Sequence, residues 1–167
     1  LFKIRKLHIS VTIQLNFILH SKKIGPLMTI FAGILARCSN SGIPSSIIKA
    51  LQGTISRHPD DKNVLIEYKN NNAYIAKIDI GALGEPGHFM DSQLSGFIAG
   101  DPILQQDSGN VYSRLEGLRF LASDISKDNL EVLRNCRGTY CAVIYDHDNS
   151  KLFLVTDKIG VRPVYFW

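Results

Sequence analysis

The chain has 167 residues, 45% of them hydrophobic and 20% charged, which is enough apolar material for a well-cored domain and argues against a disordered or collagen-like chain. Its formal charge of +4 is unevenly placed, because Lys3, Arg5, Lys6, Lys22 and Lys23 all precede Met28 and no Asp or Glu does. Taking those five from the 19 Lys and Arg leaves 14 against 15 acidic residues, so the remainder is near neutral and offers no basic face for nucleic acid.

Residues 1–27 read as a basic leader set apart from a domain at 28–167. The leader is not a secretory signal: its apolar stretch is broken by His8, Ser10, Thr12, Gln14 and Asn16, and no small-residue cleavage site precedes Met28. It is also too polar to span a membrane, so no membrane partner is expected. The alternation Val11, Ile13, Leu15 fits a strand, and a helix over the same residues is an open alternative.

Thr29 to Ala36 is an apolar run that predicts the first strand of the domain. Pro44 suits a first helical turn, and Ile43, Ile47, Ile48, Leu51 and Ile55 follow one face at helical spacing, which predicts an amphipathic helix to Ser56 packed on a sheet. Val64 to Tyr68 and Ala73 to Ile78 are strand-like, joined by the turn-prone Lys69, Asn70, Asn71 and Asn72. Gly81 to Gly87 marks a loop before a strand at Leu94 to Ala99. Leu115, Leu118, Leu121 and Ala122 form a second helical stripe, and Asp128 with Glu131 reads as a capping pair for a short third helix through Arg134. Thr139 to Tyr145 and Leu152 to Val155 flank the turn Asp146 to Ser150 as a hairpin, and a turn at Asp157 to Gly160 leads to a last strand at Val161 to Trp167. Helices grouped between sets of antiparallel strands predict a layered α+β domain.

Cys38, Cys136 and Cys141 are odd in number and match no metal spacing, so a reducing, cytoplasmic setting is expected and no metal site. His58, His88 and His147 lack metal spacing among themselves and read as exposed or structural. There is no phosphate-binding loop.

The order of residues near the chain end goes further than a meander. RGTYCAVIYD, LFLVTD and GVRPVYFW, within Arg137 to Trp167, resemble the GxFAFxxxD, LFLxRD and GxxPLYY stretches of the class II glutamine amidotransferase domain of the asparagine synthetase family. That resemblance implies a four-layer αββα fold of the amino-terminal-nucleophile type with antiparallel sheets, truncated here because the sequence stops before the family's domain would finish. It also implies a domain that releases ammonia from glutamine for an ATP-dependent amidation of aspartate, in a ligase family. Met28 and the following strand resemble the family's opening MCGIAGI, whose exposed Cys acts as nucleophile with its own α-amine as base, an amine with a pKa of about 8.

Here the nucleophile position holds Thr29, with three open readings: a plain strand residue in a domain without glutaminase activity, an amino-terminal threonine nucleophile, or a pocket put to another use or left in a gene remnant without selected function. Upstream translation or a misplaced start would account for the leader, and a retained leader would bury the Thr29 amine in a peptide bond. Arg57, in SRHPD, resembles the Arg of the family's HRGPD that forks the substrate carboxylate, although His58 replaces the Gly. Ala99-Gly100 stands where the family has the Asn-Gly oxyanion donors, so only the backbone of Gly100 is left to donate. Ser123-Asp124 has the letters of the family's ammonium-binding pair but lies too near the final strands to match it. The SGGxDS loop that binds ATP in the synthetase half has no counterpart, so ATP and Mg are not expected as cofactors of this chain. The expectation is an inactive amidotransferase-like domain, with glutamine or another amino acid as ligand. The alternatives are a noncatalytic subunit of a separate synthetase-like protein and a hydrolase built on Thr29.

Overall fold

The computed structural model describes residues 29–36, 42–56, 65–79 and 81–165, together with the backbone of 11–13. The described elements divide into two compact units. One holds β1 (Val11–Ile13), β2 (Ile30–Leu35), α1 (Ser45–Ile55), β3 (Leu65–Lys69) and β4 (Ala73–Ile78). The other holds β5 (His88–Met90), β6 (Leu94–Gly100), α2 (Arg114–Ser126), α3 (Glu131–Asn135), β7 (Tyr140–Asp146) and β8 (Lys151–Thr156). Both are α+β, and every strand pair is antiparallel.

In the first unit the strand order is β1-β2-β4-β3. Val11–Ile13, within the residues read as leader, is an edge strand paired with Gly33–Leu35. The hairpin β3–β4 turns at Asn70, whose Oδ1 accepts from the N–H groups of Asn72 (2.8 Å) and Ala73 (2.6 Å), the local bond that makes Asn a turn former. Helix α1 starts after Pro44 and buries Ile48, Leu51 and Ile55 against Ile30, Ala32, Tyr74, Ala76 and Ile78. Ile47, expected on that face, is 47% exposed, because the buried stripe runs through 48, 51 and 55, one residue off.

In the second unit the order is β5-β6-β7-β8. Ile98, Ala142, Ile144, Phe153 and Val155 face Leu118, Leu121, Ala122 and Ile125 of α2. All seven residues of β7 are buried, so both faces of this central strand are covered. Strand β5 was not foreseen; it is three residues long and closes on β6 through Asp91, whose Oδ1 accepts from the N–H groups of Gln93 (2.9 Å) and Leu94 (2.8 Å).

Two expectations are corrected here. Asp128 does not cap α3: it lies in the left-handed region at φ 59°, and Asn129 Oδ1 takes the Glu131 N–H at 3.3 Å. The pairing of side chain and backbone expected there is found instead on α2, where Ser113 and Glu116 form a reciprocal capping box. The last strand expected from Val161 is absent through Tyr165. Asp157 Oδ1 draws the N–H groups of Ile159 (3.0 Å), Gly160 (2.7 Å) and Val161 (3.1 Å) inward, and Pro163 has no N–H to offer, so this stretch has few donors left for a ladder.

Candidate functional site

Each unit holds some of the candidate residues. In the second, Gly100 ends β6 at φ +93°, a region that costs a side-chain-bearing residue strain, and a Cβ there would sit 2.0 Å from the Thr139 carbonyl oxygen and 2.9 Å from Arg162 Nε. The glycine is therefore required by the backbone, whatever its role toward a ligand. Its neighbour Ala99 is 3% exposed and has no side-chain hydrogen-bond donor.

What holds Gly100 is Arg114, which is only 6% exposed. Its Nε donates to the Gly100 carbonyl at 2.9 Å, one terminal nitrogen to Glu85 O at 2.6 Å and the other to Ile98 O at 3.4 Å. On the other side of the same peptide, the Asp101 N–H donates to Thr139 O at 3.1 Å, so the Gly100–Asp101 plane is fixed at both ends. A cation in the first turn of α2 is opposed by the helix dipole, and the three carbonyls offset that cost. The reading from sequence missed Arg114; its only signal was a basic residue next to an N-cap serine.

Tyr140 lies opposite Gly100, and its carbonyl accepts from the Asp157 N–H at 2.9 Å, which brings the turn 157–162 to the same end of the sheet. Burial would raise the Asp157 carboxyl, but the backbone N–H groups of Val161, Gly160, Ile159 and Arg162 outweigh it and hold the group below its ordinary range. Asp157 Oδ2 and Arg162 Nε are both buried with no hydrogen-bond partner. Burial pushes the Cys136 thiol up, and the Tyr140 hydroxyl with it, so neither is poised as a nucleophile.

In the first unit Thr29 is half-buried just before β2. Ile30 pairs with Ile78 and Phe31 with Lys77, so extending the register sets Thr29 opposite Asp79. Side-chain alternation puts Thr29, Phe31, Lys77 and Asp79 on the sheet face away from α1. Lys77 is fully buried and its Nζ lies 2.6 Å from Asp79 Oδ2. This pair was also missed from sequence, where Lys77 looked like one polar position in the run AYIAKI.

Arg57, His58 and Cys38 lie outside the described residues. Ser123 and Asp124 are spent locally on α2 and the turn after it: Ser123 Oγ accepts from Lys127 Nζ at 3.0 Å and Asp124 Oδ2 from Asn129 Nδ2 at 2.8 Å. His147 bridges Ser95 Oγ (2.9 Å) and Ser92 O (3.2 Å), a structural use. Among the described residues no group of three or more His, Cys, Asp or Glu could hold a metal ion, and no helix is long and apolar enough to cross a membrane.

Residues 115–167 match the family model of a glutamine amidotransferase domain. The amidotransferase match begins inside α2, runs through the β7–β8 hairpin and includes the Asp157 turn, and it covers less than half of the chain. Comparison with curated proteins and with solved structures gives no match. The matched segment contains neither Thr29 nor Gly100, so it supports the scaffold and leaves the reaction to be argued from the residues.

Proposed function

We propose that this chain carries a glutamine amidotransferase-like domain of the asparagine synthetase family that does not hydrolyse glutamine. The observation that carries this reading is the end of β6, where buried, apolar Ala99 precedes Gly100 shortly before the segment matching an amidotransferase domain. A developing oxyanion there would have a backbone donor at most, and loss of one oxyanion-hole donor alone costs about 3 kcal/mol of transition-state stabilisation. Thr29 in place of a thiolate nucleophile weakens the first step as well, and such losses act on one reaction.

The four-layer αββα arrangement belongs to the same proposal; each unit carries the helix layer and sheet layer that it needs. So do a cytoplasmic setting, glutamine or another amino acid as ligand, and a role as noncatalytic partner of a separate synthetase-like subunit, with ATP and Mg used there. A glutaminase assay on the purified chain tests the core claim. The expected result is no ammonia above the blank, for wild type and Thr29→Ala alike. Ammonia release by the wild type that Thr29→Ala abolishes would overturn it.

One observation favours a second reading, a hydrolase with Thr29 as nucleophile: the buried Lys77–Asp79 pair shares its sheet face. A buried ammonium lowers the cost of a nearby alkoxide, and a freed Thr29 amine would serve as base. This reading requires a mature chain that begins at Thr29, which intact-mass measurement decides, and it predicts hydrolytic activity that Lys77→Met removes.

A further inference from the structure

Helix α2 buries Leu118, Leu121, Ala122 and Ile125 in its own unit and turns the opposite face to solvent. Glu116, Phe120, Ser123 and Lys127, the residue that closes the helix, recur at intervals of four, three and four, so they form one stripe along that face. The bond from Lys127 Nζ to Ser123 Oγ, 3.0 Å long, lies on this stripe. Glu116 and Lys127 stand at its two ends, and neither forms an ion pair among the described residues. The helix dipole favours an acid first and a base last, but it gives no reason for the Phe120 between them. That ring is 39% exposed and is held by Tyr112, stacked on it at 5.0 Å between centroids. Arg119 and Asp124 are engaged at the flanks: Arg119 lies over the Phe89 ring at 4.7 Å and 3.6 Å from Asp91, and Asp124 accepts from Asn129 Nδ2.

The stripe is complementary to itself when reversed. A twofold axis midway between Phe120 and Ser123 lays α2 of a second copy antiparallel on the first, the self-complementary arrangement of a symmetric dimer. Glu116 of each copy then meets Lys127 of the other, once at each end of the contact. Between these pairs each Phe120 ring meets the small Ser123 of the other copy, a large side chain set into the gap over a small one. Two further exposed apolar residues fit the same arrangement. Val111, 55% exposed, precedes α2 and Leu130, 43% exposed, follows it, so the reversed helix brings Val111 of each copy to the end where the other has Leu130. A parallel pairing would instead set Glu116 against Glu116 and Lys127 against Lys127, so the charges select the antiparallel one.

We infer that this face of α2 is a docking surface for a second copy of the chain, in an antiparallel α2–α2 dimer. One helix face against another is a small interface, so sedimentation velocity of the purified chain is expected to show a monomer–dimer equilibrium with a Kd of about 100 μM. Glu116→Lys and Lys127→Glu each place like charges at both ends of the contact, and each alone is expected to weaken self-association about tenfold. Glu116 also belongs to the α2 capping box, so circular dichroism checks the fold of its variant, and Lys127→Glu, outside that box, repeats the test independently. An equimolar mixture of these two variants brings opposite charges together at both ends and is expected to form a heterodimer as tight as the wild-type dimer. Phe120→Asp, at an exposed position, is expected to leave the chain monomeric at the same concentrations. A wild type that stays monomeric up to about 1 mM, charge variants that associate as the wild type does, or a mixture of them that gains no heterodimer overturns the inference.

Discussion

Gly100 is the described glycine whose added Cβ would meet the closest neighbour. Its φ of +93° and the 2.0 Å approach of Thr139 O to an added Cβ leave no room for substitution. Gly100→Ala is expected to destabilise the fold by about 3 kcal/mol, read as a lower midpoint in urea unfolding. Asp157 sets the behaviour in acid. Its carboxyl is held below its ordinary range in the fold, so the unfolded chain binds the proton first, and the stability it supplies is complete above the unfolded value of about 3.9. That stability is lost as pH falls through this value toward the folded one. Asp157→Asn, which keeps one oxygen for the turn but no charge, should flatten the acid limb of a stability-versus-pH curve; an unchanged limb would show that other carboxylates govern it. Sequence named Gly100 and Thr29 because each stands at a position with a pattern around it. Lys77 and Arg114 were illegible, since what distinguishes them is burial, and burial of a single charged residue leaves no mark in the string of letters.

At the scale of elements, periodicity was a good guide wherever one face of a segment is buried by its own unit. Helices α1 and α2, strands β4, β6, β7 and β8 and the Asn70 turn fall where the alternation and turn residues put them. The failures have local causes. Asp128 and Glu131 have the spacing of a capping pair, but Asp128 takes up a positive φ and a neighbouring Asn supplies the bond. Val161 to Tyr165 has strand-forming residues, but the Asp157 carboxylate takes the Val161 N–H and Pro163 has none to give. The capping box on α2 is testable: Ser113→Ala should cost about 1 kcal/mol of stability, measured by chemical denaturation. Arg114→Met removes three bonds to carbonyls while keeping much of the apolar stem, and is expected to cost about 3 kcal/mol because those oxygens are left buried and unpaired. A loss no larger than that of Ser113→Ala would mean that water replaces the guanidinium.

At the scale of the molecule, two units each have a central strand buried on both faces, β4 in one and β7 in the other. Hydrogen exchange should find the slowest amides in Ala73–Ile78 and Tyr140–Asp146 and fast exchange in the edge strand Val11–Ile13, because exchange from a strand paired on both sides needs the larger opening. By itself the sequence determined the α+β class, most element positions and the amidotransferase resemblance of the final segment. These follow from residue type and spacing, which are local. Only the tertiary structure decided that Arg114 holds the end of β6 and that Lys77 and Asp79 share a sheet face with Thr29. The register of β2 on β4 and the crossing of α2 over β6 bring those residues together, and each such contact joins positions whose separation in the chain carries no periodic signal.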